Sequence, residues 1–393
     1  MDSQKLKEIF PKTADLPFPI VKDGATRTRL IENGLKEDGC EEQFVLENPK
    51  VFQEIQRNYV RSGANIVTAA TFGCNRNQLN RYGLGASTPD YIRKLVGITI
   101  GVGMSWHCGS VGPTGKAFNH AETAKSFEEI YKIYNEQVSE MEKVTVNFFS
   151  VENGCDLAEV RACVNAIKEV SKVPVFVCFE MDKDGKTAAG DELIPAIIAL
   201  SDMGVNAVGC SCRIGPYEMA EVLRPAAKFA LANGMPLIAL PDAKTADKTY
   251  TDEDFYKASK EMLKFGTLVI GGCCGTDDSH IKAIRKAEDE GIEIDEELLK
   301  DLPVLSEYAA TNKKYAKIDL TNPEILKADE GLFGLEKDFA IVEVNTIEDS
   351  DFILNNQDKI TTPLAVKGSL KAIKYLKKYY NGRVFDASRA LRH

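Results

Sequence analysis

The chain has 393 residues, of which 44% are hydrophobic and 27% charged, a composition typical of a folded globular protein. Its net charge of -10 argues against a nucleic-acid partner. No apolar run reaches the ~20 residues of a membrane span, and the first residues lack the apolar core of a signal peptide. We therefore expect a cytoplasmic protein whose ten cysteines are thiols or metal ligands and not disulfides.

Eight short β-prone runs alternate with segments of helical periodicity. Eight such units over about 290 residues predict an α/β fold of the (β/α)8 TIM barrel type. An open doubly wound sheet is the alternative, but no glycine-rich phosphate-binding motif follows the first run. The predicted strands are Pro19–Lys22, Asn65–Ala69, Gly101–Val111, Val144–Val151, Val175–Cys178, Asn206–Gly209, Pro236–Leu240 and Thr267–Ile270.

Helical periodicity is clearest in four of the intervening segments. Leu157–Val170 follows Asp156, whose side chain is a suitable helix N-cap. The other three are Pro49–Ser62, Glu192–Met203 and Tyr217–Asn233.

The pattern changes near Pro303, which divides the chain into a predicted barrel at 1–302 and a small α/β extension at 303–393. Ser306–Asp329 is polar and is expected to be irregular. The extension contains no obvious chemistry, and we interpret it as a packing or docking module. Its predicted strands are Ala340–Val344, Pro363–Val366 and Arg383–Phe385, and its predicted helices are Asp349–Asn356 and Ser369–Tyr380.

Two adjacent thiols, Cys273 and Cys274, lie in a glycine-flanked turn after the last predicted strand. Most free cysteines are small buried apolar residues, but glycines on both sides leave these sulfurs reachable. Cys210 and Cys212 follow the sixth strand, and soft sulfur ligands from two strand ends favour zinc. Spacing alone does not decide between these two cysteines. Six other cysteines are interpreted as core or incidental residues and not as metal ligands: Cys40, Cys74, Cys108, Cys155, Cys163 and Cys178.

Other polar groups occupy matching positions in the predicted barrel. Asp23 and Gly24 follow the first strand, and Glu152 follows the fourth. Because barrel enzymes place their chemistry at the carboxyl ends of the strands, these residues and the thiols are expected to share one site.

Seven motifs occur in order over roughly residues 10–290. They are Asp23-Gly24-Ala25-Thr26, Leu46-Glu47-Asn48-Pro49, Thr71–Asn75, Gly109–Gly115, Glu152 with Asp156–Arg161, Cys212–Pro216 and Gly271–Gly275. In these motifs the chain resembles the homocysteine S-methyltransferase family, and most of all the zinc-bearing barrel of its cobalamin-dependent members.

The resemblance implies one zinc ion held by Cys212, Cys273 and Cys274. The family pattern around the first ligand matches Cys212–Pro216, and so favours Cys212 over Cys210. Three thiolates on Zn²⁺ leave a net charge of about -1 and one open position. A thiol bound there is deprotonated and can attack a methyl carbon.

The resemblance also implies how homocysteine binds. Asp23 and Glu152 would receive its ammonium group, and the backbone N–H groups of Gly24 and Ala25 would receive its carboxylate.

The chain departs from the family pattern at several positions. Arg27 replaces a glycine, and Ala70, Ser211 and Asp242 each replace an asparagine. We expect Arg27 to add a charge beside the carboxylate site. These changes are compatible with a different thiol or with methyl transfer in the opposite direction.

The leading hypothesis is therefore an enzyme, a methyltransferase that forms methionine from homocysteine. Its methyl donor would be a methylcorrinoid on a separate protein, since the chain has no Asp-x-His-x-x-Gly corrinoid motif. One alternative is a corrinoid-linked methyltransferase or demethylase for another methyl donor or thiol. Another is a non-catalytic zinc protein, whose ion would be closed by four protein ligands.

Overall fold

The computed structural model describes residues 3–13, 15–16, 19–103 and 106–391. Eight parallel strands, β1 to β8 in chain order, form one sheet in which each strand from β3 to β7 pairs with the strands that precede and follow it. The strands are β1 Ile20–Val21, β2 Ile66–Thr68, β3 Trp106–Val111, β4 Phe148–Gly154, β5 Val175–Phe179, β6 Ala207–Ser211, β7 Leu237–Leu240 and β8 Thr267–Ile270.

The sheet closes on itself. β1 pairs with β8, and on its other side a parallel bridge joins Lys22 to Ile66. The Asn65 N–H donates to the Val21 carbonyl at 2.9 Å, and the Asp23 N–H donates to the Ile66 carbonyl at 3.1 Å. The predicted (β/α)8 barrel is confirmed.

Among the described residues, thirteen helices lie in the barrel part of the chain and two in the extension. They are α1 Ser3–Ile9, α2 Arg27–Glu32, α3 Glu41–Glu47, α4 Pro49–Arg61, α5 Arg76–Asn80, α6 Thr88–Ile100, α7 Thr123–Glu142, α8 Leu157–Val170, α9 Leu193–Leu200, α10 Pro216–Leu223, α11 Ala227–Ala232, α12 Asp252–Leu263, α13 Asp278–Asp289, α14 Ile347–Asn355 and α15 Leu370–Tyr379. Among the described residues, none of the helices has both the length and the apolarity to cross a bilayer.

The barrel interior has an apolar floor to which all eight strands contribute. Its side chains include those of Ile20, Phe148, Phe176 and Ile238, which are buried and belong to one cluster. Because side chains alternate along a strand, the next inward position after Ile20 is Lys22. The polar site is therefore built directly on this floor, toward the carboxyl ends of the strands.

The predicted strand positions agree with the structure apart from their ends. β8 has the predicted bounds, whereas β4 begins at Phe148 and not at Val144. Thr145 has a positive φ of 61°, which places a turn inside the predicted β-prone run. The predicted third strand began at Gly101, but the chain is still in the turn after α6 there, and Met104 and Ser105 lie outside the described residues.

The extension contains a second parallel sheet of four strands, with α14 and α15 beside it. Ser306–Asp329 was expected to be irregular, but it forms a hairpin and the first strand of this sheet. The boundary at 302 and 303 stays a prediction. The strands are β9 Tyr308–Ala310, β10 Tyr315–Lys317, β11 Ile325–Lys327, β12 Ala340–Val344, β13 Leu364–Gly368 and β14 Phe385–Asp386.

Candidate metal and substrate site

Three sulfur atoms and one carboxylate meet at the open end of the barrel. One ligand atom each from Cys212, Asp242, Cys273 and Cys274 lies within 4.8 Å of all the others. These residues follow the ends of β6, β7 and β8, which are neighbours in the sheet. Cys212 and Asp242 are buried, whereas Cys274 is exposed, so the cluster opens to solvent on one side.

Cys212 and Cys273 are joined by a disulfide in this structure, with their Cα atoms 5.4 Å apart. The sequence predicts thiols or metal ligands, and the same two sulfurs belong to the group of possible metal ligands with Asp242 and Cys274. The same proximity suits two ligands of one ion, because Zn–S bonds of about 2.3 Å place tetrahedral sulfurs within about 4 Å of each other.

The position of Cys212 depends on an unusual backbone turn. Cys212 and Arg213 have positive φ values of 59° and 68°. Consecutive non-glycine residues in this region are uncommon and cost about 1–3 kcal/mol each. The turn is fixed by the Cys212 N–H, which donates to the Leu240 carbonyl at 2.9 Å.

Cys210 occupies a different environment. It is fully buried in the main core, with its Sγ 3.7 Å from the Met181 Sδ atom. The structure thus brings Cys212, and not Cys210, to Cys273 and Cys274. The glycines beside Cys273 and Cys274 were expected to leave the sulfurs reachable. Gly272 instead allows close packing, because a Cβ at this position would lie 2.3 Å from the Thr276 Oγ1 atom.

Asp242 holds the two cysteine-bearing turns together. Its Oδ1 accepts from the Cys274 N–H at 3.0 Å, and its Oδ2 accepts from the Arg213 N–H at 2.9 Å. Burial raises the pKa of the Asp242 carboxyl to about 7, against the lowering effect of these two donors. Asp242, which replaces an asparagine of the family pattern, is therefore part of the sulfur cluster.

The free thiol of the cluster is protonated at neutral pH. Desolvation, and then the charge of Asp242, raise the pKa of the Cys274 thiol to about 11. A thiol of this kind becomes a thiolate ligand only when a cation offsets its negative charge.

A buried lysine lies between the two carboxylates that were predicted to bind substrate. The Lys22 Nζ is 3.1 Å from the Glu152 Oε1 and 3.4 Å from the Asp23 Oδ1. It also donates to the Thr68 Oγ1 at 2.8 Å. Burial alone would lower the pKa of Lys22, but the charges of Glu152 and Asp23 outweigh it and raise that pKa. Lys22 is therefore a permanent cation inside the barrel.

Sequence reasoning missed Lys22 and Thr68. Thr68 binds both oxygens of Asp23, through its N–H at 2.7 Å and its hydroxyl at 2.6 Å. The available signal was the alternation of Ile20 and Lys22, which puts a charged residue at an inward position of an otherwise apolar strand.

Glu152 was predicted to follow β4, but it lies within that strand. The pairing of β4 with β5 is irregular between Val151 and Gly154. Asn153 has a positive φ of 54°, and its N–H and side-chain oxygen both bond to the Ser211 hydroxyl, at 3.1 and 2.9 Å. Ser211 therefore fixes the bend that directs Glu152 toward Lys22.

The predicted carboxylate-binding turn is tied to the cysteine turn. The Ala25 N–H donates to the Thr276 Oγ1 at 2.9 Å, and that hydroxyl donates to the Cys273 carbonyl at 2.7 Å. The Ala25 N–H is thus already bonded within the chain, while the role of Gly24 stays a prediction.

The Arg27 guanidinium donates to the Glu37 carbonyl at 2.6 Å and is 3.8 Å from the Glu41 carboxylate. Its expected effect on the carboxylate site stays a prediction. Ala70, which replaces an asparagine of the family pattern, is a buried apolar residue.

A family model described as "Homocysteine S-methyltransferase" matches residues 20–288, which is more than half of the chain. The chain belongs to the homocysteine S-methyltransferase family. This confirms the predicted family.

Two curated relatives of this family member are the methionine synthases of Mycobacterium leprae and Mycobacterium tuberculosis. Each is 30% identical over 294 residues, which cover 68% of this chain and 24% of the relative. The chain thus spans about a quarter of the length of these relatives.

The barrel is also similar to solved structures. The homocysteine methyltransferase MmuM from Escherichia coli, in its metallated and oxidized forms, aligns with a TM-score of 0.60 at 20% identity. The metallated form covers 70% of this chain and 99% of its own. This similarity supports the fold.

Proposed function

We propose that the chain is a zinc-dependent S-methyltransferase that binds a thiol at the sulfur cluster and methylates it. Homocysteine is the first candidate acceptor, because the family is named for it, and its product is methionine. The observation that most supports this proposal is the convergence of Cys212, Cys273 and Cys274 at the exposed end of the barrel. A donor set of sulfurs and one carboxylate fits zinc well.

The three cysteines would hold the ion, which stabilises thiolates at neutral pH. The open side at Cys274 gives the acceptor a way in, and the apolar floor excludes water from below. The acceptor gives up its thiol proton to solvent. Its sulfur then bonds to the methyl carbon as the bond from that carbon to the donor breaks, and the bonding electron pair stays with the donor.

We also propose a separate corrinoid protein as the methyl donor. Support comes from the motif Gly112-Pro113-Thr114-Gly115, which resembles the corrinoid-using members of the family. The relatives named methionine synthase are about four times as long as the matched region, which leaves room in them for further modules.

Asp242 favours a second candidate function, a structural zinc site. With Asp242 as the fourth ligand, the ion would have four protein ligands, as closed structural sites do. In the catalytic proposal, the carboxylate is instead a ligand that an incoming thiol can displace.

The test is zinc analysis of the reduced protein, with zinc-edge absorption measured before and after homocysteine is added. The catalytic proposal expects one zinc per chain, and a change from three to four sulfur neighbours as the oxygen neighbour is lost. Homoserine, which has a hydroxyl in place of the thiol, is the matched control and is expected to change nothing. An unchanged spectrum with homocysteine and with other short thiols would leave the structural site as the better account.

A further inference from the structure

We propose that Glu180, the residue that follows β5, binds the ammonium group of the acceptor and makes the site specific for an α-amino thiol. This inference rests on the proposed function, because it requires the acceptor sulfur to bind at Cys212, Cys273 and Cys274. Glu180 lies outside the seven sequence motifs.

Glu180 occupies an inward position at the mouth of the barrel. Side chains alternate along a strand, and Phe176 and Cys178 of β5 both belong to the apolar floor. Glu180 is the next inward position, at the carboxyl end of the strand. Its N–H donates to the Gly154 carbonyl at 3.0 Å, which holds this residue beside β4 just beyond the end of β5.

A short chain of contacts connects the Glu180 carboxylate to the strand that leads to Cys212. The Glu180 Oε2 is 3.5 Å from the Asn153 Nδ2. The Asn153 Oδ1 in turn accepts from the Ser211 hydroxyl at 2.9 Å, and Ser211 directly precedes Cys212. Glu180 is therefore near the first of the three cysteines that would hold the ion.

The charge of Glu180 also acts on the sulfur cluster. Burial raises the pKa of the Asp242 carboxyl and of the Cys274 thiol, and the charge of Glu180 raises both further. The Coulomb energy decreases with distance and with hydration. An effect on both groups agrees with a carboxylate that faces the site.

This carboxylate has no cation of its own in the part of the chain that the structure describes. Lys22, the cation of the barrel mouth, is paired with Asp23 and Glu152 instead, at 3.4 and 3.1 Å. Glu180 is only partly exposed, and a carboxylate in such a position is stabilised when a bound group supplies a positive charge. The ammonium group of an α-amino thiol supplies it.

Glu152 on the neighbouring strand offers the ammonium group a second acceptor. Its Oε1 is buried and, although it is close to the Lys22 Nζ, no described residue donates a hydrogen bond to it. An ammonium group has three N–H donors and can bond to two carboxylates at once. Glu180 and Glu152 would thus bind it together, while Lys22 remains paired with Asp23 and Glu152.

The experiment compares homocysteine with 4-mercaptobutanoate, which has the same carbon chain, thiol and carboxylate but no amine. Reduced protein loaded with cobalt(II) in place of zinc reports thiol binding by its thiolate-to-metal absorption, so no methyl donor is needed. Glu180→Gln keeps the size of the side chain and removes its charge. It is expected to weaken homocysteine binding about tenfold, as the loss of a hydrogen bond to a charged group does, and to leave 4-mercaptobutanoate binding unchanged.

Glu192→Gln is the matched control. Glu192 lies further along the segment between β5 and α9, where its side chain is 42% exposed and its carboxylate is 3.9 Å from the Lys186 Nζ. This variant should leave both affinities unchanged. Glu180→Asp, which keeps the charge, should retain the preference for homocysteine.

An unchanged homocysteine affinity in Glu180→Gln, or an equal weakening of both thiols, overturns the inference. A native chain that binds 4-mercaptobutanoate as tightly as homocysteine overturns it as well. If Glu180→Gln does not fold, Glu180→Ser is measured in its place and judged by the same outcomes. Absence of binding by both thiols to the native chain would instead reject the proposed function.

Discussion

Cys210 and Cys212 are separated by one residue but lie in opposite environments. Cys210 follows the alternation of β6 into the main core, where it packs on Met181. Cys212 comes just after the strand, where a backbone turn of positive φ carries its sulfur to the cluster. Alternation along a strand therefore does not determine which cysteine reaches the site, because Cys212 has left the strand.

These two cysteines form a matched pair for testing the metal site. Cys212→Ala is expected to lose most of the bound zinc and all thiol methylation, because two thiolates and one carboxylate hold zinc much less well. Cys210→Ala should keep one zinc per chain and lose only about 1 kcal/mol of stability from the small cavity it leaves. Metal analysis of the purified variants measures the first effect, and urea denaturation the second. Full zinc occupancy in Cys212→Ala would contradict the assignment.

The strand-end positions of Asp23, Cys212, Cys273 and Cys274 could be predicted from the sequence. They follow from the alternation of strands and helices in a barrel. The lysine between Asp23 and Glu152 could not be predicted in this way. Its contacts join β1 to β2 and β4, and depend on how the closed sheet brings inward side chains within reach across the barrel.

At the scale of single elements, sequence periodicity located the strands and helices but not every interruption. The predicted helix Tyr217–Asn233 is divided into α10 and α11 by a 3-10 turn at Arg224–Ala226. Pro225 lies in that turn and has no backbone N–H to continue an α-helix. The strands within Ser306–Asp329 were missed because β10 and β11 have three residues each and are largely exposed, so they show no buried face.

Helix α13, which follows the cysteine turn, contains a buried acid. The Glu288 side chain is 0% exposed, and the Arg285 guanidinium lies 3.4 Å from its carboxylate. Burial raises the pKa of Glu288 to about 8. The folded chain therefore keeps this carboxyl protonated up to that pH, whereas the unfolded chain ionises it near about pH 4.3.

The stability contributed by protonated Glu288 is present at low pH and is lost as the pH rises from about 4.3 to about 8. Glu288→Gln keeps the group neutral at every pH. The free energy of unfolding of the variant should therefore rise relative to that of the native chain as the pH increases from about 4.3 to about 8. We expect equal stabilities at pH 4 and an advantage of about 2–4 kcal/mol for the variant at pH 9. Urea unfolding at several pH values measures this difference. A difference independent of pH would contradict the assignment.

At the scale of the whole molecule, a buried arginine connects the barrel to the extension. Arg161 on α8 donates to the carbonyls of Lys377 and Gly382 in the extension, at 2.9 and 3.0 Å. It also donates to the Ala199 carbonyl of the barrel at 3.2 Å. One side chain thus satisfies backbone groups on both sides of the contact.

Arg161→Met should loosen this contact, because it leaves buried carbonyls without donors at a cost of about 1–3 kcal/mol each. Amide hydrogen exchange is expected to become faster in β13, α15 and β14, while the barrel strands keep their protection. Lys374→Met, at an exposed position on α15, is the control and should have no effect. Faster exchange throughout the barrel would mean that the extension is an integral part of the barrel core.

The Asp23 carboxylate has a second role at the place where the barrel closes. β1 has two residues, and beyond them the Asp23 side chain takes the position of a strand neighbour by accepting the Thr68 N–H of β2 at 2.7 Å. Loss of this side chain would open the barrel at its shortest strand, whatever thiol the enzyme binds. Asp23 therefore contributes to closure of the sheet as well as to the site, so its presence in a relative is not by itself a sign that the relative binds an amino acid.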